Sequence, residues 1–438
     1  MADLIALRGL HLERDGPDGA QRVLRDLDLC LAAGERLALL GGNGSGKSSL
    51  LRYLATPGIL PGVRSGLVFQ DPEEQLVTAT VAEELQLGRP ALDVPARLGE
   101  YGLDGRGADD PHLLSAGQKQ RLQLAVVLAG EPDLLLLDEP TSLQDAAQAA
   151  WLRARLAAWP GAMIWATQRP GEAALCARTL VLDAGRTLFA GPTVDVLARP
   201  QVRALLEPAY PAPQAPPPSR DRAGAVVAEL AGVGCRFLDG GGFAGVELRL
   251  RAGDRVGITG PNGCGKSTLL AMLAGLRRPD TGTVSLAGRT LYSRGAQDLD
   301  HGAAALAPQF AEYLFCRGDV AAEVRLDPGM RAGDPAALLA KLDLEADLAR
   351  RNPHDLSGGQ KRRLALGLAL YSGRPLVLLD EPTAALDAAG RALVAQLARR
   401  EWPQAALVIA SHDREFLQAC GCRVLQLDNR GMSEAVAP

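Results

Sequence analysis

The sequence predicts an α/β protein made of two tandem copies of one domain, each built on a mostly parallel sheet. Three observations carry that prediction. The chain has 438 residues, too many for one ordinary domain and enough for two or three of about 150–200 residues each. Three short motifs occur twice in the same order, which at half the chain length means duplication. Finally, residues 134–137 and 376–379 are unbroken apolar runs, which suit parallel strands covered on both faces.

The first repeated motif is Gly41-Gly42-Asn43-Gly44-Ser45-Gly46-Lys47-Ser48, which returns as Gly260-Pro261-Asn262-Gly263-Cys264-Gly265-Lys266-Ser267. The second is Leu114-Ser115-Ala116-Gly117-Gln118-Lys119, matched by Leu356-Ser357-Gly358-Gly359-Gln360-Lys361. The third is Leu136-Leu137-Asp138-Glu139-Pro140-Thr141, matched by Leu378-Leu379-Asp380-Glu381-Pro382-Thr383. The spacing between copies grows from 219 residues (Lys47 to Lys266) to 242 (Lys119 to Lys361). The second copy therefore carries extra chain between its first two motifs, where 280–286 read as a turn and an alternating strand. A hairpin is expected there and expected to be missing from the first copy. Residues 208–222 are proline-rich and read as a semi-extended spacer, so the expected organisation is 1–207, spacer 208–222, and 223–438.

Composition narrows the class. Hydrophobic residues make up 47% and charged residues 22%, as in ordinary folded domains. The formal net charge of -4 offers no global basic field for nucleic acid. Seven cysteines occur without any CxxC pair, which argues against zinc ribbons, iron–sulfur clusters and a disulfide framework. Cys420 and Cys422 read as buried or idle thiols. No apolar run approaches the ~18–20 residues that span a bilayer, and the first residues lack the pattern of an export signal. A cytosolic protein is expected. Lysine appears five times, and four of the five lie in the repeated motifs.

The pattern GxxxxGK[ST] is a phosphate-binding loop, the Walker A motif. Its glycines let backbone N–H groups face phosphates. Here Lys47 and Lys266 are expected to neutralise them, and Ser48 and Ser267 to hold Mg²⁺. The remaining loop and first-turn positions are Gly41, Asn43, Gly44, Gly46 and Ser49 in copy one. In copy two they are Gly260, Asn262, Gly263, Gly265 and Thr268. The apolar runs end in Asp138-Glu139 and Asp380-Glu381, at the end of a parallel strand where ligands sit. The aspartates are placed for Mg²⁺ and the glutamates for polarising water. Ser115-x-x-Gln118 and Ser357-x-x-Gln360 have the form of a helix capping box, with Leu122, Ala125, Val126 and Ala129 following at helical spacing. Such a helix start attracts anions.

Together these residues resemble the ATP-binding cassette (ABC) ATPases over nearly the whole chain, twice. The resemblance implies two tandem P-loop cassettes, each with a RecA-like sheet, an antiparallel β subdomain (shortened in the first copy) and a helical subdomain. It implies ATP and Mg²⁺ as ligands. It also implies that the cassettes pair head to tail within the chain, so that each site is closed by the LSGGQ segment of the other. The family segment is met fully at 356–360 and with Ala116 for one glycine at 114–118; Ser115, Gly117 and Gln118, and Ser357, Gly358, Gly359 and Gln360, are the closing residues. The family's Gln loop matches Gln70 and Gln309, which join the metal set with Ser48, Asp138, Ser267 and Asp380.

The family's switch histidine matches His412, while the first copy has Gln168. The family's Asp loop reads Ala385-Leu386-Asp387 in copy two but Leu143-Gln144-Asp145 in copy one. Phe237 matches the aromatic that stacks on adenine, and residues 10–14 hold nothing aromatic. Unequal sites are therefore expected. Glu381 and His412 should serve fast hydrolysis, with Glu139 and Gln168 in a slower site. His112 and His354 are expected to be structural.

The segment Phe69-Gln70-Asp71-Pro72-Glu73-Glu74-Gln75-Leu76, followed by Thr80-Val81-Ala82-Glu83-Glu84-Leu85, resembles the ATPases of energy-coupling factor transporters. Copy two has a looser version at 308–315 and 319–324. This resemblance implies import of a vitamin or transition-metal ion. The implied partners are a transmembrane coupling subunit and a small substrate-binding membrane protein, met at the cytoplasmic face of the cell membrane around 70–85 and 309–324. Two other readings share the motifs: a soluble tandem ABC protein acting on ribosomes or nucleic acid, and the ATPase of a conventional importer. The first usually has a long charged helical linker and basic surface, and no nucleic-acid partner is expected here.

Overall fold

The computed structural model describes residues 3–16, 19–142, 144–207, 209–211, 225–237, 241–293, 296–297, 303–327, 329–330, 334–384, 386–400 and 405–434. The chain divides into two compact units, Met1–Glu207 and Pro208–Pro438. Apart from 209–211, the spacer expected at 208–222 lies outside the described residues.

In the first unit, β1 (Asp3–Gly16) and β2 (Gly19–Ala32) form an antiparallel pair that leads into β3 (Arg36–Leu40). Strands β4 (Ser65–Val68), β5 (Leu134–Asp138), β6 (Ala162–Thr167) and β7 (Arg178–Asp183) join β3 in a parallel sheet. The antiparallel edge strand is β8 (Arg186–Pro192), and the order is β4-β5-β6-β3-β7-β8. Side chains alternate across a strand, so Leu134 and Leu136 enter one apolar core while Leu135 and Leu137 enter another on the opposite face. All four are fully buried, each contributing roughly 1.5–3 kcal/mol relative to exposure. That double burial is why the run has no polar residue.

The second unit repeats the plan. It comprises β9 (Val226–Arg236), β10 (Gly242–Arg251), β11 (Arg255–Thr259), β12 (Thr281–Leu286) and β13 (Arg289–Thr290), then the small pair β14 (Tyr292–Ser293) and β15 (Ala296–Gln297). The main sheet is completed by β16 (Ala304–Ala307), β17 (Leu376–Asp380), β18 (Ala406–Ala410), β19 (Arg423–Asp428) and β20 (Gly431–Glu434), in the order β16-β17-β18-β11-β19-β20. Its antiparallel sheet runs β10-β9-β12-β13, whereas the first unit has only β1-β2. The hairpin β12–β13 is the extra chain that the shift in motif spacing revealed. In the first unit the helix Lys47–Ala55 passes to β4 without a strand between.

Between β4 and β5 lies a helical region with helices Val81–Gln86, Val94–Glu100 and Ala116–Ala129. Its counterpart holds Val320–Arg325, Pro335–Lys341 and Gly358–Leu370. No helix among the described residues is long and apolar enough to cross a membrane. The sheet order has one consequence for function. Strands β3, β6 and β5 are neighbours although far apart in the chain, so their carboxyl ends open onto one crevice, as do those of β11, β18 and β17.

Candidate functional site

From β3 the chain turns through 41–46 into the helix Lys47–Ala55, and from β11 through 260–265 into Lys266–Leu273. Gly46 begins its helix at φ 102. A Cβ there would stand 2.5 Å from Leu24 Cδ2, so only glycine fits. The Lys47 ammonium donates to the carbonyls of Gly41 at 2.8 Å and Gly42 at 2.9 Å. Lys266 does the same to Gly260 at 2.9 Å and Pro261 at 3.2 Å. Both lysines are buried, and these carbonyls offset the cost of burying a charge. Ser49 and Thr268 lie in the first turns of the two helices.

Asp138 at the end of β5 hydrogen-bonds to Ser48, and Asp380 at the end of β17 to Ser267. Both carboxylates are buried, and Asp138 Oδ1 and Asp380 Oδ1 have no hydrogen-bond partner. Burial pushes Asp138 up to about 6 against its bond to Ser48, and lifts Asp380 in the same direction. A hydroxyl beside a carboxylate oxygen that no protein donor satisfies is the donor set a hard cation such as Mg²⁺ takes. The residues present therefore fit the metal.

Glu139 and Glu381 both adopt φ 45, a left-handed conformation that costs a non-glycine residue of order 1–3 kcal/mol. Each is held by its own N–H, which donates across the sheet to Ala166 O at 3.0 Å or Ala410 O at 2.8 Å. Their carboxylates stand 3.9 Å and 4.0 Å from the loop lysines. In the first unit, Gln168 Nε2 donates to Glu139 Oε1 and to Asn43 Oδ1, both at 2.9 Å, and Gln70 Nε2 reaches Glu139 Oε2 at 3.5 Å. In the second unit, His412 Nε2 stands 3.3 Å from Glu381 Oε2. Burial pushes Glu381 up to about 7, with Lys266 pulling the other way.

The capping boxes form as the sequence predicts. Ser115 Oγ accepts from Gln118 N–H, and Ser357 Oγ from Gln360 N–H, with both amides returning the bond. Gly117 and Gly358–Gly359 sit in the first turns. Phe237 lies against the second loop: a Cβ on Gly265 would be 3.0 Å from its ring, and Arg277 covers it at 5.8 Å. Asp145 and Asp387 each cap the next helix, accepting from Gln148 N–H and Gly390 N–H at 2.8 Å. The first Asp loop thus keeps its cap despite Gln144; Leu143 and Ala385 lie outside the described residues. His112 Nδ1 bonds to Glu73 at 2.7 Å, and His354 packs edge-on to Phe315. Cys420 and Cys422 are buried.

Each unit thus gathers its loop lysine, acidic pair and switch residue, while the signature serines bond within their own helices. The reading of the sequence missed Arg362, which is buried behind the acidic pair. Its signal was available: Gln120 stands at the aligned position in copy one.

The family model for ABC transporters matches residues 24–58, 59–142 and 243–384. The chain belongs to the ABC transporter family. ABC ATPases bind ATP with Mg²⁺ and hydrolyse it. The chain is similar to an "Uncharacterized ABC transporter ATP-binding protein" of Mycobacterium tuberculosis, 34% identical across 96% of this chain and 62% of the relative. It spans under two thirds of that relative's length. It is also similar to the "Putative HMP/thiamine import ATP-binding protein YkoD" of Bacillus subtilis, 29% identical across 94% of this chain and 88% of the relative. Among solved structures, a model of ribosome-bound archaeal Pelota and ABCE1 matches 93% of this chain and 75% of that one, with TM-score 0.70 and 21% identity. That likeness is one of fold.

Proposed function

We propose that the chain is the energy-supplying subunit of a micronutrient importer of the energy-coupling factor type, working at the cytoplasmic face of the cell membrane. The observation that carries this reading is the surface beside the two Gln loops. Val77 is 70% exposed, Leu113 82% and Tyr313 79%. Val77 follows the turn Pro72–Gln75, and Leu113 follows His112, which bonds to Glu73 in that turn. Apolar side chains left exposed beside a functional loop suit a docking surface, and helices of a transmembrane coupling subunit fit one. The name of the Bacillus subtilis relative supports import of a vitamin-class cargo.

In this reading the cassettes 1–207 and 223–438 pair head to tail. ATP held by Lys266, with Mg²⁺ on Ser267, Gln309 and Asp380, is closed by Ser115, Gly117 and Gln118 and stacked on Phe237. Glu381 accepts the water's proton there and His412 orients it. Bound there, Mg²⁺ would supply positive charge against the phosphates. The site of Lys47, Ser48, Gln70, Asp138, Glu139 and Gln168, closed by Ser357, Gly358, Gly359 and Gln360, turns over slowly.

The test is a mild-detergent affinity purification of the chain from its native host, with mass spectrometry of what accompanies it. Two small integral membrane proteins in near-equal amounts are expected, the smaller carrying the cargo. Ribosomal proteins or nucleic acid in their place would overturn the importer and leave the ATPase.

A further inference from the structure

Among the buried positions at which the two signature helices differ, one carries a side chain that reaches the reacting end of the sheet. In the second cassette, Arg362 is 2% exposed. Its Nη1 donates to the carbonyls of Pro308 and Gln309, the latter at 3.1 Å, and its Nη2 to the carbonyls of Asp380 and Glu381, the latter at 2.6 Å. One guanidinium therefore joins the Gln loop, the signature helix and the acidic pair. In the first cassette the aligned Gln120 accepts from Gln144 at 3.2 Å, and its own amide nitrogen has no partner. The first Gln loop is tied one turn further along its helix. There Gln123, with its amide turned to suit, donates to Phe69 O at 3.3 Å and accepts from Phe69 N–H at 2.9 Å. The second cassette has Ala365 at that place.

We propose that Arg362 is a positioning residue for hydrolysis in the second cassette, fastening the backbone of the Gln loop to the backbone of Glu381. The chemistry favours this role over mere filling of space. A planar guanidinium spreads its donors in two directions from a rigid fork, which an ammonium on a flexible stem does not. Glu381 sits in a left-handed conformation at φ 45, which persists only where surrounding bonds over-determine it. Its N–H is held by Ala410 and its carbonyl by Arg362. A displacement of residues 308–309 is therefore carried to Glu381 through a single buried group. The first cassette ties its Gln loop to the helix through Gln123, and Gln70 reaches the Glu139 carboxylate by its side chain at 3.5 Å, so among the described residues a backbone-to-backbone fastening by one guanidinium is found in the second cassette.

The inference rests on hydrolysis at the second cassette, and its test separates the two. In the full chain, Arg362→Gln is expected to lower kcat for ATP about tenfold or more while KM and nucleotide binding stay within about twofold. Arg362→Lys, which keeps the buried charge but not the fork, is expected to recover less than half of the rate. Arg363→Gln serves as control: that arginine holds the carbonyls of Leu342 and Asp343, and its loss should leave kcat within about twofold. Retention of most of kcat by Arg362→Gln, a parallel loss of nucleotide binding, full rescue by lysine, or an equal loss in Arg363→Gln would each overturn the proposal. If Glu381→Gln leaves the total rate unchanged, hydrolysis at the second cassette is the reading that fails. If Glu381→Gln removes the rate and Arg362→Gln does not, only the role of Arg362 falls.

Discussion

His412 Nε2 stands 3.3 Å from Glu381 Oε2, and at the equivalent place Gln168 Nε2 donates to Glu139 Oε1 at 2.9 Å. The two contacts look alike and differ in what they can do. An imidazole carries a proton or releases one near neutral pH, whereas an amide nitrogen only donates. The first site keeps the orientation of its glutamate and loses a group able to follow charge as it develops.

Asp138 provides a test of the metal site through stability. Its folded value is raised to about 6 from the ordinary carboxylate range, so the folded state favours the protonated form. The sign follows: this contribution is fully present below the ordinary value near 4 and is lost as pH rises through about 6. In metal-free protein, Asp138→Asn should therefore melt above the unsubstituted chain at pH 8, and the difference should shrink as pH falls below 6. The same variant should lose Mg²⁺-dependent nucleotide binding at that site. Thermal melts across pH, with and without Mg²⁺, check both halves.

Ser115→Ala separates a cap from a closing residue. Losing the cap alone costs about 1 kcal/mol, and Ser357→Ala should cost as much. If the cassettes pair head to tail, Ser115→Ala removes a closing hydroxyl from the faster site and should lower steady-state ATPase rate at least fivefold more than Ser357→Ala. Matched melting temperatures with unmatched rates are the expected result.

Phe237→Ala should weaken nucleotide binding to the second cassette by about 1–3 kcal/mol, the worth of one base stacked on an aromatic ring. The first cassette should be unaffected, because Phe237 lies against the second loop at Gly265. Titration with a fluorescent ATP analogue, in a background where one loop lysine is removed at a time, reads the two sites separately.

Much of this architecture was legible in the residues because each motif must solve a local physical problem. Four leucines in a row at 134–137 leave no solvated face, so the strand had to lie in the middle of a parallel sheet. Gly46 had to be glycine because Leu24 sits where a Cβ would go. The serine caps and the missing hairpin followed from short-range pattern and from counting. What the sequence hid is what depends on the partner a side chain finds in space. Arg362 looks like one more arginine in an arginine-rich chain until its four carbonyls are seen. Glu172 looks like a surface acid, yet it is 2% exposed and accepts from the hydroxyls of Thr141 and Thr167. The left-handed backbone of Glu139 and Glu381 leaves no mark in composition either.

The most direct test of the account is the steady-state ATPase rate of Glu381→Gln beside that of Glu139→Gln, in the full chain with saturating Mg²⁺ and ATP. Unequal sites predict that the first substitution removes about nine tenths of the rate or more and the second less than half. Equal losses from the two would contradict the account, because they would mean that Gln168 serves Glu139 as well as His412 serves Glu381.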